Sequence, residues 1–364
     1  MKTKKISLSI VILTVCASIF SCQSESIEDF EQEEQNSEEI TSRFANAGEV
    51  GTHGDMLYFS DMETFLNVIE SLEEQTEKYD DEFLEEWGHL KGDDLDDLED
   101  EIGYDPDQVF IDFESQFSKF TSLREITRAK ELEWLDNEEL DDENDPDDHY
   151  IFDDEVRTVV NGLGNVKIGD LLYHFTRYGH VTVKKNNVKL LNTIAKSNAE
   201  EFVNLDDVEI FGDYVGGSSS GNYANNSGNN SGNNAPQCRN GFDRSRYYYP
   251  SSSRRLKGKQ KLAGSSGIWG SRIKSKTVHY KKRNGKWKRR RGEISAQIKG
   301  FTVNQQCVQE ANESKSKTRR RRSVKVKIKA PLASGYNYKT RQMELRTVHK
   351  KISTNSIYDQ HFWE

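Results

Sequence analysis

Charge is partitioned along this chain more sharply than any other property. Residues 23–215 hold 14 Lys and Arg against 54 Asp and Glu, whereas residues 216–364 hold 34 against seven. The overall net charge of −10 therefore conceals an acidic half followed by a basic half. An asymmetry of this size points to an electrostatic role, either with an external partner or between the halves themselves. A length of 364 residues suggests about two domains. With 34% hydrophobic and 31% charged residues, a core requires the polar residues to be concentrated in tails and linkers.

The N-terminus reads as an export leader. Lys2-Thr3-Lys4-Lys5 is a positive start, and Ile6 to Phe20 is an apolar run broken only by Ser and Thr. The run is short for a membrane span, which needs roughly 20 residues. Ile19-Phe20-Ser21-Cys22 then resembles a bacterial lipobox, although Phe20 departs from the small residue usual there. That resemblance implies a signal peptide over residues 1–21, with palmitate and other acyl chains on Cys22 as the contact with a lipid bilayer. The alternative is an ordinary leader cut after Ser18. Residues 22–54 are expected to form an acidic tether, since its first twenty residues have almost nothing to bury. An acidic stretch directly after the cysteine is similar to the export signals of Bacteroidetes surface lipoproteins, which implies an outer-membrane, cell-surface location.

Residues 55–215 are expected to be an acidic α+β domain. Ser60 and Glu63 have capping-box spacing ahead of Met62, Phe65, Ile69 and Leu72. Phe83, Leu84, Trp87 and Leu90 suggest a second short helix. Pro106 suits a helix start, followed by Phe110, Phe113, Phe117 and Phe120, a stripe better read as core than as a ligand pocket. Ser122 and Glu125 form another capping box. Arg157–Val160, Val166–Ile168, Leu171–Phe175 and Val181–Val183 read as strands. The acidic stretch Leu140–Glu155 fits no EF-hand register, and the simplest reading is a solvated loop. The domain, with Val166 to Tyr173, resembles uncharacterised Bacteroidetes (flavobacterial-type) lipoproteins, a likeness that implies no activity.

Residues 216–236 are Gly, Ser and Asn, a flexible linker. Residues 237–364 read as an all-β basic domain, an antiparallel sandwich or barrel. Asn284-Gly285 marks a hairpin that pairs Arg283 with Lys286 and Lys282 with Trp287. Strands are expected at Ile294–Val303, Val324–Lys329 and Met343–Ile352. In Val324–Lys329, three lysines alternate with Val324, Val326 and Ile328.

Cys238 and Cys307 are the two cysteines outside the leader and lipobox, and in an exported chain they are expected to form a disulfide. No zinc spacing, phosphate loop or nucleophile motif appears, so no enzyme, catalytic residue, metal or cofactor is assigned. His174 and His180 carry no metal assignment. The basic domain is expected to bind an anionic polymer: polysaccharide, lipopolysaccharide or extracellular nucleic acid. The expected contacts are Lys274, Lys276, Tyr280, Lys282, Trp287, Arg289 and the loop run Arg319, Arg320, Arg321 and Arg322. The alternative is a structural or assembly lipoprotein whose acidic and basic halves pair with each other or between copies.

Overall fold

The helical periodicity that begins near residue 60 belongs to one long helix, α1 (Met62–Trp87), rather than to two short ones. Its cap is Asp61, whose carboxylate accepts from the Thr64 N–H at 2.7 Å, so the start lies one residue beyond the expected Ser60. Phe65, Val68, Leu72 and Phe83 form its buried face. The computed structural model describes residues 50–137, 142–197, 199–202, 204–212, 237–263, 268, 270–304, 307–330 and 338–363. The leader, Cys22, nearly all of the tether and the Gly/Ser/Asn segment lie outside the described residues. The described residues from Gly51 onward form one compact unit.

The acidic half is built on a six-stranded sheet of β1 (Val50–His53), β2 (Met56–Phe59), β3 (Asn165–Ile168), β4 (Leu171–Phe175), β5 (Gly179–Val183) and β6 (Val208–Gly212), in that order. β2 and β3 pair in parallel, while β3 to β6 pair antiparallel. A parallel pair needs a long crossover. Here the crossover carries α1, α2 (Asp93–Glu101), α3 (Gln108–Ser115), α4 (Leu123–Leu135) and α5 (Asp154–Val159). Ser122 caps α4 as its spacing suggests, accepting from the Glu125 N–H at 2.9 Å. Phe110, Phe113 and Phe120 are buried, as core residues should be. Residues 157–160 correct the sequence reading, because Arg157 to Val159 are helical in α5. Tertiary contact overrides the β-branched composition there: Arg157 must reach back to Asp147 and to the Ile151 carbonyl.

The basic half is two antiparallel sheets. One holds β7 (Phe242–Ser251), β8 (Arg254–Ala263), β9 (Arg272–Arg283), β10 (Lys286–Arg289) and β13 (Ser323–Lys329). The other holds β11 (Gly292–Val303), β12 (Gln309–Arg321), β14 (Leu345–Lys351) and β15 (Ser356–His361). Leu256, Leu262, Ile273, Val324 and Val326 from the first share a core with Ile294, Ala296, Ile298 and Leu345 from the second. The chain is thus α+β with a β-rich C-terminal half. The β9–β10 hairpin has the expected register, with Asn284 and Gly285 at φ +50° and +82°. Arg319 to Arg321 correct the loop reading. They end β12, and the chain crosses at Arg322 into β13 of the other sheet.

Cys238 and Cys307 are joined by a disulfide, 69 residues apart in sequence and wholly within the basic half. In the loop-entropy account a closure of this size contributes about 4 kcal/mol. The double variant Cys238→Ser/Cys307→Ser should melt about 8 °C lower. Thiol titration of the native oxidised chain should find no free thiol from this pair. An unchanged melting temperature would remove the stabilising role.

Candidate functional site

Three neighbouring strands place lysines in rows. On β8, Leu256 and Leu262 turn to the sandwich core, so Arg255, Lys257, Lys259 and Lys261 turn the other way. Ile273 on β9 and Val324 and Val326 on β13 do the same for Lys274, Lys276, Lys325 and Lys327. The register sets Lys261 opposite Lys274, which is opposite Lys327. It likewise sets Lys259 opposite Lys276, which is opposite Lys325. Like charges directly across strands repel. This face is tolerable only where anions cover it.

The acidic half supplies them. The Lys257 ammonium, fully buried, donates to Asp145 at 2.5 Å and Asp147 at 3.0 Å, and lies 2.6 Å from an Asp148 oxygen as an ion pair. Lys259 donates to Asp147 at 2.7 Å. Lys274 pairs with Asp153, and Lys276 with Asp154 at 2.6 Å. Lys325 meets Glu155 at 2.6 Å and Glu73 at 3.1 Å, and Lys327 also pairs with Glu73. Phe152, buried, sits with its ring centre 5.3 Å from the Lys259 ammonium and 5.7 Å from that of Lys274. The stretch 142–155 is therefore not a solvated loop. Its Asp145 and Asp147 are buried, and their oxygens meet lysine and arginine. Among the described residues no cluster of three or more His, Cys, Asp or Glu is arranged to hold a metal ion.

A second network closes over α1 and α2. Arg291 pairs with Asp80 at 2.5 Å and with buried Glu99. Arg321 reaches Asp80 at 2.8 Å and Asp81 at 2.7 Å, and Arg322 reaches Glu99 at 2.9 Å. The Arg291 guanidinium also lies 4.7 Å from the Phe83 ring centre. A third feature is an aromatic box. The Arg255 guanidinium, 1% exposed, lies 4.7–4.9 Å from the rings of Tyr247, Tyr280 and Trp287 of its own half and of Trp134 from α4. Its Nη1 is 3.4 Å from Asp142.

These pairings decide the protonation states. Burial pushes the Asp147 carboxyl up, but Lys257, Lys259 and Arg157 outweigh it and hold it well below the usual carboxylate range. Burial likewise opposes Lys274 and Lys325 at Asp153, which also ends well below that range. Glu73 falls to about 2, because Lys325 and Lys327 overcome its desolvation. Asp147, Asp153 and Glu73 are therefore carboxylates at neutral pH, while burial pulls the Lys274 ammonium down to about 7 in spite of Asp153 beside it.

Most of the residues expected to grip a polymer are committed to this interface. Lys274, Lys276, Tyr280 and Arg321 are buried, and Trp287, Arg289, Arg320 and Arg322 are half-buried. Tyr280 donates to Glu131 at 3.2 Å, and Arg289 donates to the same carboxylate at 2.7 Å. Arg320 donates to the carbonyls of Gly88 and Leu90 at 2.8 and 2.5 Å. Lys282 and Arg319 remain exposed. Sequence reasoning missed Arg255, Lys257, Lys259 and Arg291. For β8 the signal was present, since cations recur at every second residue from Arg255 to Lys261.

No protein-family model matches this chain, and no curated protein does. A crystal structure of a DUF4848 family protein from Bacteroides thetaiotaomicron is a distant neighbour. It is 13% identical, the match covers 85% of this chain and 98% of that one, and the TM-score is 0.20. At that score nothing is carried over from it.

Proposed function

We propose that this chain is a lipid-anchored surface protein of structural or assembly type, in which the acidic half is the electrostatic partner of the basic sandwich. The observation that carries this reading is Lys257, fully buried and surrounded by Asp145, Asp147 and Asp148. Removing one side of such a group costs about 3–5 kcal/mol, so the halves have reason to stay together. An anionic polymer would have to displace residues 142–155 before it met the lysine rows. The lipobox-like Ile19-Phe20-Ser21-Cys22 supports attachment to the outer membrane through Cys22, with the acidic half next to the anchor.

The test is retention on immobilised heparin. Residues 23–364 should pass through at about 0.15 M salt, where exposed charges such as Lys282 and Arg319 are screened within about 8 Å. Elution only above about 0.5 M salt would favour the polymer-binding reading instead.

A further inference from the structure

Each half has a core of its own. The sandwich core uses residues from Phe242 to Phe362, and its disulfide closes within the same half. The acidic half packs Met56, Leu172, Val181, Val183, Leu191 and Ile194 together under its sheet. Between them lie charge pairs, with two apolar anchors. One is Phe152 between Lys259 and Lys274. The other is the box in which Trp134 closes over Arg255. That anatomy is the one found where separate proteins associate: complementary charge around a few desolvated aromatic and arginine anchors.

We propose that the acidic face of α1, α2, α4 and residues 142–155 is a receptor that holds the basic sandwich without covalent help. A chain cut between the halves then remains one particle, and an acidic half held on a membrane retains its basic half after the cut. This rests on the proposed pairing role. It goes further in assigning the affinity to contacts rather than to the tether. Arg255 is the main anchor, because its guanidinium gives up water for four ring faces, and cation–π contacts gain most when desolvated. Trp134 is the acidic half's contribution to that anchor.

The experiment uses residues 23–364 with a specific protease site inserted between residues 222 and 230, cut after purification. The cut protein should elute from a sizing column at the volume of the intact chain. Dilution to about 10 nM at 0.15 M salt should leave most of it associated. Arg255→Ala and Trp134→Ala should each raise the dissociation constant of the cut protein roughly thirtyfold, the scale of an interface hot spot. Raising salt from 0.05 to 0.5 M should slow association at least tenfold and change dissociation little. Circular dichroism of each uncut variant shows whether it folds. If a variant fails to fold, the unsubstituted cut protein still decides the main question. Separation of the halves immediately on cutting, with each still folded, overturns the proposal. Retained association with no effect of either anchor variant overturns the assignment to Arg255. Heparin retention by the intact chain would instead overturn the pairing role, so the two failures are distinguishable.

Discussion

Asp147→Ala is expected to destabilise the protein by about 4 kcal/mol, lowering the melting temperature by about 8 °C or more. The Asp147 carboxylate accepts from Arg157 at 2.6 Å, Lys259 at 2.7 Å and Lys257 at 3.0 Å, and its residue is 2% exposed. Truncation leaves these cations desolvated with fewer anions. Lys257 keeps Asp145 and Asp148, and Arg157 keeps the Ile151 carbonyl. Lys259 suffers most, since Asp147 is its ion-pair partner. Asp147→Asn, which keeps the shape and an acceptor, should cost about half as much. Asp136→Ala is the control. Asp136 pairs with Lys286 at 3.0 Å, but both are largely exposed, and such pairs contribute at most about 1 kcal/mol. Thermal melts of the variants check this. If Asp147→Ala is as mild as Asp136→Ala, the interface is solvated in solution and the buried-pair account fails.

This sensitivity explains how a chain with only 34% hydrophobic residues builds a unit of this size. Charge does not replace the cores, since each half packs an apolar one. It fills the space between them, where apolar residues would otherwise be needed. Period-two alternation showed β13 in advance, and Asn284-Gly285 showed the β9–β10 hairpin, because both signals are local. Ser122 and Glu125 located the start of α4 for the same reason. What alternation could not show is which surface the polar side of a strand meets. Lys325 and Lys327 look like solvent-facing residues by pattern, yet they point at Glu73 on α1, more than 250 positions away in the case of Lys327. The acidic run at 142–155 misleads for the matching reason. A loop of aspartates has every appearance of a solvated segment until its lysine partners arrive from the other half. The charge imbalance was the one sequence feature that spanned that distance. It named contact between the halves as an alternative without identifying the residues.

Stability should fall steadily as pH is lowered from 7, beginning well before carboxylates titrate. Burial pulls His174 and His180 down to about 4, Arg272 adding to the effect at His180. His279 falls to about 3 through burial and the neighbouring Lys351 charge, and His349 falls to about 3 through burial. His349 is held neutral between the hydroxyls of Thr277 at 2.7 Å and Thr347 at 3.0 Å. In the unfolded chain each would take up a proton near pH 6.5. These groups have folded values below their unfolded ones. Their contribution is therefore complete above about pH 6.5 and is lost as pH falls toward 4 and 3. The carboxylates act in the same direction but lower down. Glu73 at about 2, with Asp147 and Asp153 well below the ordinary range, contribute fully above about pH 4 and lose that contribution as they protonate. The melting temperature should drop by about 10 °C between pH 7 and pH 5, and the folded signal should be gone near pH 3. His349→Gln should make that curve shallower below about pH 6.5 by the share of one histidine, the other three keeping theirs, because glutamine can bond the two threonines and does not titrate. A melting temperature constant from pH 7 to pH 5 would mean that the histidines are not held neutral in the folded protein. A folded signal that survives intact at pH 2 would mean that the carboxylate network is not what binds the halves.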